Sequence, residues 1–425
     1  MKEQVSAENS APGGGASPAF SITAEQMAAY VNGLGQFGAL EDGSIHRDVY
    51  DDAWLEARKW LREQMEEAGL AVHTDAVGNL FGRIQGREEG TVLTGSHLDT
   101  VPRGGRFDGA LGILAGLAAL RALKQLDESP RKSLEVVALC EEEGGRFYGD
   151  FLGSRAVWGR VEVRELDELR DDRGITLRRA MELAGGLPGE IRAAKRTDIE
   201  SFIELHIEQG PVLEKAGRKI GLVSGITGLC VQTVRVSGRA DHAGTTPMEY
   251  RKDALVGVSE MILAARQIAL DLGAPTVVTV GQLTVDSGAV NVVPETVSFS
   301  LDARNPDPIR LDAVTARLDE AWMEIAAKYD LQLEIKTVQR TAGTQLDPDL
   351  TAVLAAAADL NGVGTLHLTS GAGHDSQIMA QHVPTAMLFV PSLDGRSHSK
   401  DELTSFEDCA TGSKVLASAL HALAY

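Results

Sequence analysis

The sequence predicts an α/β fold in which a mostly parallel sheet covered by helices is interrupted by a smaller βαββαβ insertion. Three observations carry this. Through the first half of the 425 residues, short apolar runs alternate with segments of helical spacing, the pattern of strands joined by crossover helices. Between 227 and 338 the order becomes strand 231–236, helix 252–272, strands 276–285 and 296–303, helix 308–328 and strand 331–337, the split βαβ arrangement. The alternation then resumes with helix 349–361, strand 385–390 and helix 406–423. The chain therefore divides into a leader over 1–20, a main domain in two parts over 21–226 and 339–425, and an inserted domain over 227–338.

Taken in order, the leader contains Ser-Ala-Pro-Gly-Gly-Gly-Ala-Ser-Pro and has too little apolar surface to pack. From Ala24 the apolar spacing turns helical, and it does so again over 52–68, where Gly69 supplies a natural helix stop. These two helices precede the first strong strand. Strand-like runs follow at 91–95, 134–140 and 201–207, with a helix over 109–126 after the first. Gly33 to Gly38 spell G-x-G-x-x-G, but a helical pattern precedes them where a dinucleotide fold needs a strand. Neither a P-loop nor a G-x-S-x-G nucleophile elbow occurs.

A formal charge of -20, spread along the chain, argues against nucleic acid and anionic membrane surfaces as partners. No apolar run approaches the roughly 20 residues of a membrane span. Three widely spaced cysteines, Cys140, Cys230 and Cys409, are an odd number for a disulfide framework and fit a cytoplasmic protein.

The chemistry-bearing residues gather at strand ends, where open α/β sheets place their ligand-binding groups. His97 ends one run, with Asp99 placed to orient its imidazole as a supporting carboxylate. Asp108 lies in a glycine-rich loop opening a helix; taken singly it reads as a plain helix N-cap. Cys-Glu-Glu-Glu-Gly at 140–144 puts three acids at the exit of a buried strand, which repel unless cations or protons compensate. Glu204, His206 and Glu208 alternate onto one strand face. His398, with Glu402 four residues on, occupies a loop and taken singly reads as a surface histidine. As a set, three imidazoles and two carboxylates on separate loops suit Zn²⁺, Mn²⁺, Co²⁺ or Ni²⁺. Two ions sharing Asp108 would each have three protein ligands and keep positions open for water and substrate.

Seven stretches then occur in a telling order: Gly-Ser-His-Leu-Asp-Thr-Val, Gly-Gly-Arg-Phe-Asp-Gly, Glu-Glu-Glu-Gly-Gly-Arg-Phe, Glu-Leu-His-Ile-Glu-Gln-Gly-Pro, Asp-His-Ala-Gly-Thr-Thr-Pro-Met, Asn-Val-Val-Pro-Glu and Ser-Gly-Ala-Gly-His-Asp. From about residue 22 to the C-terminus the chain resembles the hydantoinase/carbamoylase branch of the dinuclear-metal aminoacylase and carboxypeptidase clan, most of all its N-carbamoyl-L-amino-acid hydrolases. Allantoate amidohydrolases and β-ureidopropionases are nearby. The resemblance implies a two-metal exopeptidase-like catalytic domain with a ferredoxin-like dimerisation or lid domain, working as a homodimer on a small ureido substrate. It implies one ion on His97, Asp108 and His206, a second on Asp108, Glu143 and His398, and Glu142 as general base. His242 would stabilise the oxyanion from the partner subunit, Asn291 and Arg304 would hold the substrate carboxylate, and Gln209 and His374 would lie near the ureido group. Asp241, where relatives usually carry a small or amide residue, and Arg396, where carbamoylases often carry an aliphatic, depart from the pattern and bear on substrate preference. The reading from another class is a noncatalytic ligand-binding protein on the same fold.

Overall fold

A computed structural model describes residues 20–147, 151–286 and 289–425; apart from Phe20, the expected leader lies outside them. The larger of two sheets begins with β1 (Ala71–Thr74), β2 (Leu80–Ile84), β3 (Thr91–His97), β4 (Ser133–Leu139), β5 (Ile199–Ile207) and β6 (Ile220–Ile226). The smaller takes β7 (Gly228–Ser237), β8 (Val277–Thr279), β9 (Leu283–Asp286), β10 (Thr296–Asn305) and β11 (Gln332–Thr341). The chain then returns to the first sheet through β12 (Thr344–Gln345), β13 (Thr365–Ser370) and β14 (Thr385–Val390).

Strands of the larger sheet run in the order β1-β2-β4-β3-β5-β14-β6-β12, with β13 also paired to β6. Its centre, β4-β3-β5-β14, is parallel, and its flanks are largely antiparallel. All residues of β3 and β4 are buried, as parallel strands covered on both faces must be. Helix Ala110–Leu123 packs on β3, β4 and β5 and against helix Phe406–Ala424. It approaches closely because Gly112 has no side chain: a Cβ there would stand 2.5 Å from Leu205 O and 2.7 Å from Ser96 Cβ. This contact fixes the start of the helix, and Asp108 just before it, against the ends of β3 and β5.

In the smaller sheet the order is β11-β7-β10-β8, with β9 on the same edge of β10, and every pairing is antiparallel. Helices Ala254–Leu272 and Pro308–Lys328 pack on it around Val234, Phe299, Leu301, Leu318 and Trp322. Asp253 and Asp307 cap these helices through their side chains, Asp307 ahead of Pro308 in the first turn. Residues 276–285, read from sequence as one strand, form β8 and β9, and between them Gln282 N donates to the Ser300 hydroxyl.

The two expected helices do precede the strand at 91–97, and the hairpin β1–β2, which the sequence reading does not anticipate, lies between them and it. β1 has four residues, three of them exposed, so no apolar period marks it.

Candidate active site

Four parallel strands bring their C-terminal ends to one side of the larger sheet. His97 is the last residue of β3 and His206 lies one residue from the end of β5; the acids 141–143 follow β4, and His398 lies in the loop after β14. His97, Asp108, Glu142, Glu143, His206, Gln209, Arg304, His374 and His398 all line one cavity of about 220 Å³.

The two buried imidazoles are held alike. His97 Nδ1 lies 3.0 Å from Asp99 O, and His206 Nδ1 lies 3.0 Å from Ile207 O. With Nδ1 committed to a main-chain carbonyl, each ring turns Nε2 inward. His206 Nε2 then lies 3.1 Å from Asp108 Oδ1 and also receives the Gly109 N–H at 3.2 Å; His97 Nε2 is 3.7 Å from that oxygen. Gly109 has φ 62°, and a Cβ there would fall 2.4 Å from the His97 ring, so this turn takes glycine. The N-cap of the following helix is Gly109, without a side-chain bond, so Asp108 does not serve as the plain cap its sequence context suggests.

Asp108 divides its oxygens. Oδ1 faces His97 and His206, while Oδ2 lies 3.2 Å from His398 Nε2, accepts from Gln209 Nε2 at 2.9 Å and lies 2.9 Å from Ser397 Oγ. Two trios result whose ligand atoms lie within 4.8 Å of one another: His97, Asp108 and His206, and Asp108, Glu143 and His398. Their donor chemistry suits a divalent cation. A neutral His206 that accepts the Gly109 N–H turns a lone pair toward a carboxylate oxygen, an arrangement a cation relieves. Glu143 Oε1 is buried, 3.6 Å from His398 Nε2, and makes no hydrogen bond among the described residues. His398 is 51% exposed, yet its φ of 53° turns it into the cluster.

Electrostatics reflect a crowd of acids. Burial pushes the Glu142 carboxyl well up, and burial with the Asp108 charge raises Glu143 to about 7. Burial works against the charged form of His97, but Glu142, Asp108 and Asp99 outweigh it and raise the imidazole well above its usual range. The hydrogen bond to Asp108 raises His398 to about 9. Burial, with His206 beside it, drives His374 well down; its ring meets His206 edge-on at 4.5 Å and its Nε2 lies 2.8 Å from Ser370 Oγ.

Other expected residues behave differently. The Asp99 carboxylate is 3.9 Å from His97 Nδ1; it accepts instead from Glu142 N at 3.2 Å and Glu143 N at 3.1 Å, so its main-chain carbonyl orients the imidazole and its side chain sets the acid turn. Arg304 reaches the cavity from β10, with Nε and Nη2 on the Asp302 carboxylate at 2.9 and 3.0 Å and Nη1 on Gly371 O at 2.7 Å. His242 and Asn291 lie beside each other, joined through Ala243 N and Asn291 O at 3.0 Å, but neither lines the cavity. Asp241 pairs with Arg239, and Arg396 with Asp401. On the His206 strand, Glu204 accepts from the Ser96 and Ser376 hydroxyls at 2.6 Å, and Glu208 accepts the Val212 and Leu213 amides. Phe151, Leu229, Gln339 and Thr341 also line the cavity; no motif in the sequence distinguishes them.

This geometry and the comparisons with known proteins define a class: the protein is a hydrolase acting on C–N bonds. More particularly, the chain belongs to peptidase family M20/M25/M40, whose model matches residues 93–422, and enzymes of this family are metal-dependent. It is 38% identical to the allantoate amidohydrolase of Bacillus subtilis over 398 residues, 93% of this chain and 97% of that protein. It is 39% identical to the N-carbamoyl-L-amino-acid amidohydrolase of Paenarthrobacter aurescens over 404 residues, 94% of this chain and 98% of the other. The crystal structure of a hydantoinase/carbamoylase family amidase from Burkholderia ambifaria matches with a TM-score of 0.90 at 36% identity, covering 96% of this chain and 99% of that one. No helix among the described residues is long and apolar enough to cross a membrane.

Because Asp99 satisfies two amides at once, Asp99→Ala should cost about 2 kcal/mol of stability, from roughly 1–3 kcal/mol per orphaned group discounted for partial burial. A urea titration reads this as a lower midpoint at unchanged slope. A midpoint within error of the parent would mean that water replaces the carboxylate.

Proposed function

We propose that the chain hydrolyses the ureido C–N bond of N-carbamoyl-L-amino acids, releasing the amino acid, carbon dioxide and ammonia. The observation that carries this is the division of Asp108 between two trios with Glu142 beside them. Two divalent cations (Zn, Mn, Co or Ni), one held by His97, Asp108 and His206 and the other by Asp108, Glu143 and His398, supply when bound Lewis-acid polarisation of the carbonyl and a lowered pKa for water.

The chain's own groups do the rest. Glu142 Oε2, 3.9 Å from His97 Nε2, takes a proton from the attacking water and returns it to the departing nitrogen. Water adds to the ureido carbon, the bond to the amino-acid nitrogen breaks, and the carbamic acid left over falls to carbon dioxide and ammonia. Arg304 suits a substrate carboxylate because its guanidinium is already oriented by Asp302, so less freedom is lost on binding. Gln209 and His374 line the same cavity, within reach of a ureido group. Allantoate, also a ureido acid, is the second reading, supported by the Bacillus relative at nearly the same identity as the carbamoylase. Ammonia release from carbamoyl-methionine, allantoate and β-ureidopropionate by the metal-loaded protein separates these; inactivity on all three with metal bound would favour a noncatalytic binding protein.

A homodimer is part of the proposal. Helix Ala254–Leu272 exposes Val256 (42%), Leu263 (68%) and Leu270 (57%) at seven-residue intervals, an apolar stripe that a second copy would cover. His242 and Asn291, outside the cavity of their own chain, would then serve the partner's. With this arrangement Leu263→Lys yields monomers in sedimentation velocity; a wild-type protein that already sediments as a monomer would end the dimer proposal.

Replacing Glu142 by Gln should retain metal content and lower kcat on the order of 10²-fold or more; near-normal turnover would remove Glu142 from the chemistry. Arg304→Ala should raise KM by about tenfold, the loss of one charge-assisted contact, with little change in kcat. An unchanged KM would place the carboxylate site elsewhere.

A further inference from the structure

We infer that Glu402 is a positioning residue that braces two donor-bearing loops against each other and sets the affinity of the second ion site; this rests on the two-ion reading proposed above. Glu402 is buried in the loop after β14. Its Oε1 accepts the main-chain N–H groups of Phe107 at 2.8 Å and Asp108 at 3.0 Å, nearly three hundred residues away in the chain. Its Oε2 and Asp108 Oδ2 each lie 2.9 Å from Ser397 Oγ, whose one proton serves the two carboxylates in turn. One carboxylate and one hydroxyl thus hold both the backbone and the side chain of Asp108 to the residue next to His398.

Space enforces the contact. A Cβ at Gly105 would stand 2.2 Å from Glu402 Oε1, so the glycine-rich loop closes directly on the carboxylate. Glu208 offers the comparison: it too is a carboxylate accepting two amides, but both belong to the start of the nearby helix Val212–Ala216, a local cap. Glu402 instead ties together two segments, far apart in the chain, that each carry metal donors. A buried carboxylate is costly unless its oxygens are matched, and here every match leads to a donor-bearing loop.

The consequences for the two sites differ. Asp108 serves both trios, whereas His398 serves only the trio with Glu143. Loosening the brace therefore frees one donor of the first site and two donors of the second. Supporting hydrogen bonds of this kind are commonly worth 10- to 100-fold in metal affinity.

The test is Co²⁺ titration of the chelator-treated full chain, followed by calorimetry and by the visible absorption of the bound ion. Wild type should take up two ions. Glu402→Ala should weaken the second by roughly tenfold or more and the first by less, while Glu402→Gln, which keeps an acceptor for the two amides and a polar partner for Ser397, should recover most of the loss. Wild-type affinities in Glu402→Ala, or a Gln variant as weak as the Ala variant, would overturn the brace. Should Glu402→Ala fail to fold, Ser397→Ala removes only the hydroxyl link and should weaken the second ion selectively; unchanged binding there also overturns it. A wild type that takes up no second ion would instead bring down the two-ion reading itself.

Discussion

The site depends on one buried carboxylate on which three imidazoles converge. Asp108 is almost fully buried, and in isolation burial would push it toward the neutral acid. His206, His398 and His97 hold it well below the usual carboxylate range. Those three rings come from β3, β5 and the loop after β14, and the carboxylate comes from the turn before Ala110–Leu123. Convergence on Asp108 is therefore a condition on the register of the central strands. It explains why Gly109 and Gly112 lack side chains where the helix start must press against the His97 ring and the Leu205 carbonyl.

The two sheets share the cavity. Thr227, Leu229, Arg304, Gln339 and Thr341 close it from the side of the smaller sheet, and Arg304 Nη1 bonds Gly371 O in the segment leading to His374. Register places them there: Arg304 pairs with Leu229 and Thr341 pairs with Leu229 on the other side, so β10, β7 and β11 end together. A ligand in the cavity would meet the imidazoles and carboxylates of the large sheet on one side and, on the other, the Arg304 guanidinium among Thr227, Leu229, Gln339 and Thr341. The Asp302 pairing keeps the guanidinium in place meanwhile.

Much of this was legible in the chain because its signals are local. Fully buried parallel strands read as unbroken apolar runs, and a His or acid at the end of such a run has few bland explanations. The helix 308–328 and the strand 385–390 have the same limits in the structure as in the sequence. What escaped is what depends on distant partners. β1 is short and exposed, and the apolar run of β6 is interrupted in sequence by Gly221, Ser224 and Gly225. The Asp99 carboxylate turns to two amides forty-odd residues on, a pairing that spacing within Gly-Ser-His-Leu-Asp cannot reveal. Glu402 looked like a neighbour of His398, while one of its two oxygens turns to the amides of residues 107 and 108.

The three consecutive acids show how backbone geometry converts repulsion into a division of labour. Glu141 has φ 53°, an uncommon conformation for a side-chain-bearing residue, and it breaks the strand alternation that would otherwise set Glu141 and Glu143 on one face. Glu141 folds back to accept Phe147 N at 2.9 Å, away from the cavity. Its two successors, their amides clamped by Asp99, both enter the cavity, Glu142 toward His97 and Glu143 toward His398. Burial raises all three carboxyls, so each proton or cation near them lowers the cost of the turn. The sequence of three acids is thus compatible with a buried strand exit because the left-handed residue comes first, turning Glu141 away and leaving Glu142 and Glu143 to line the cavity.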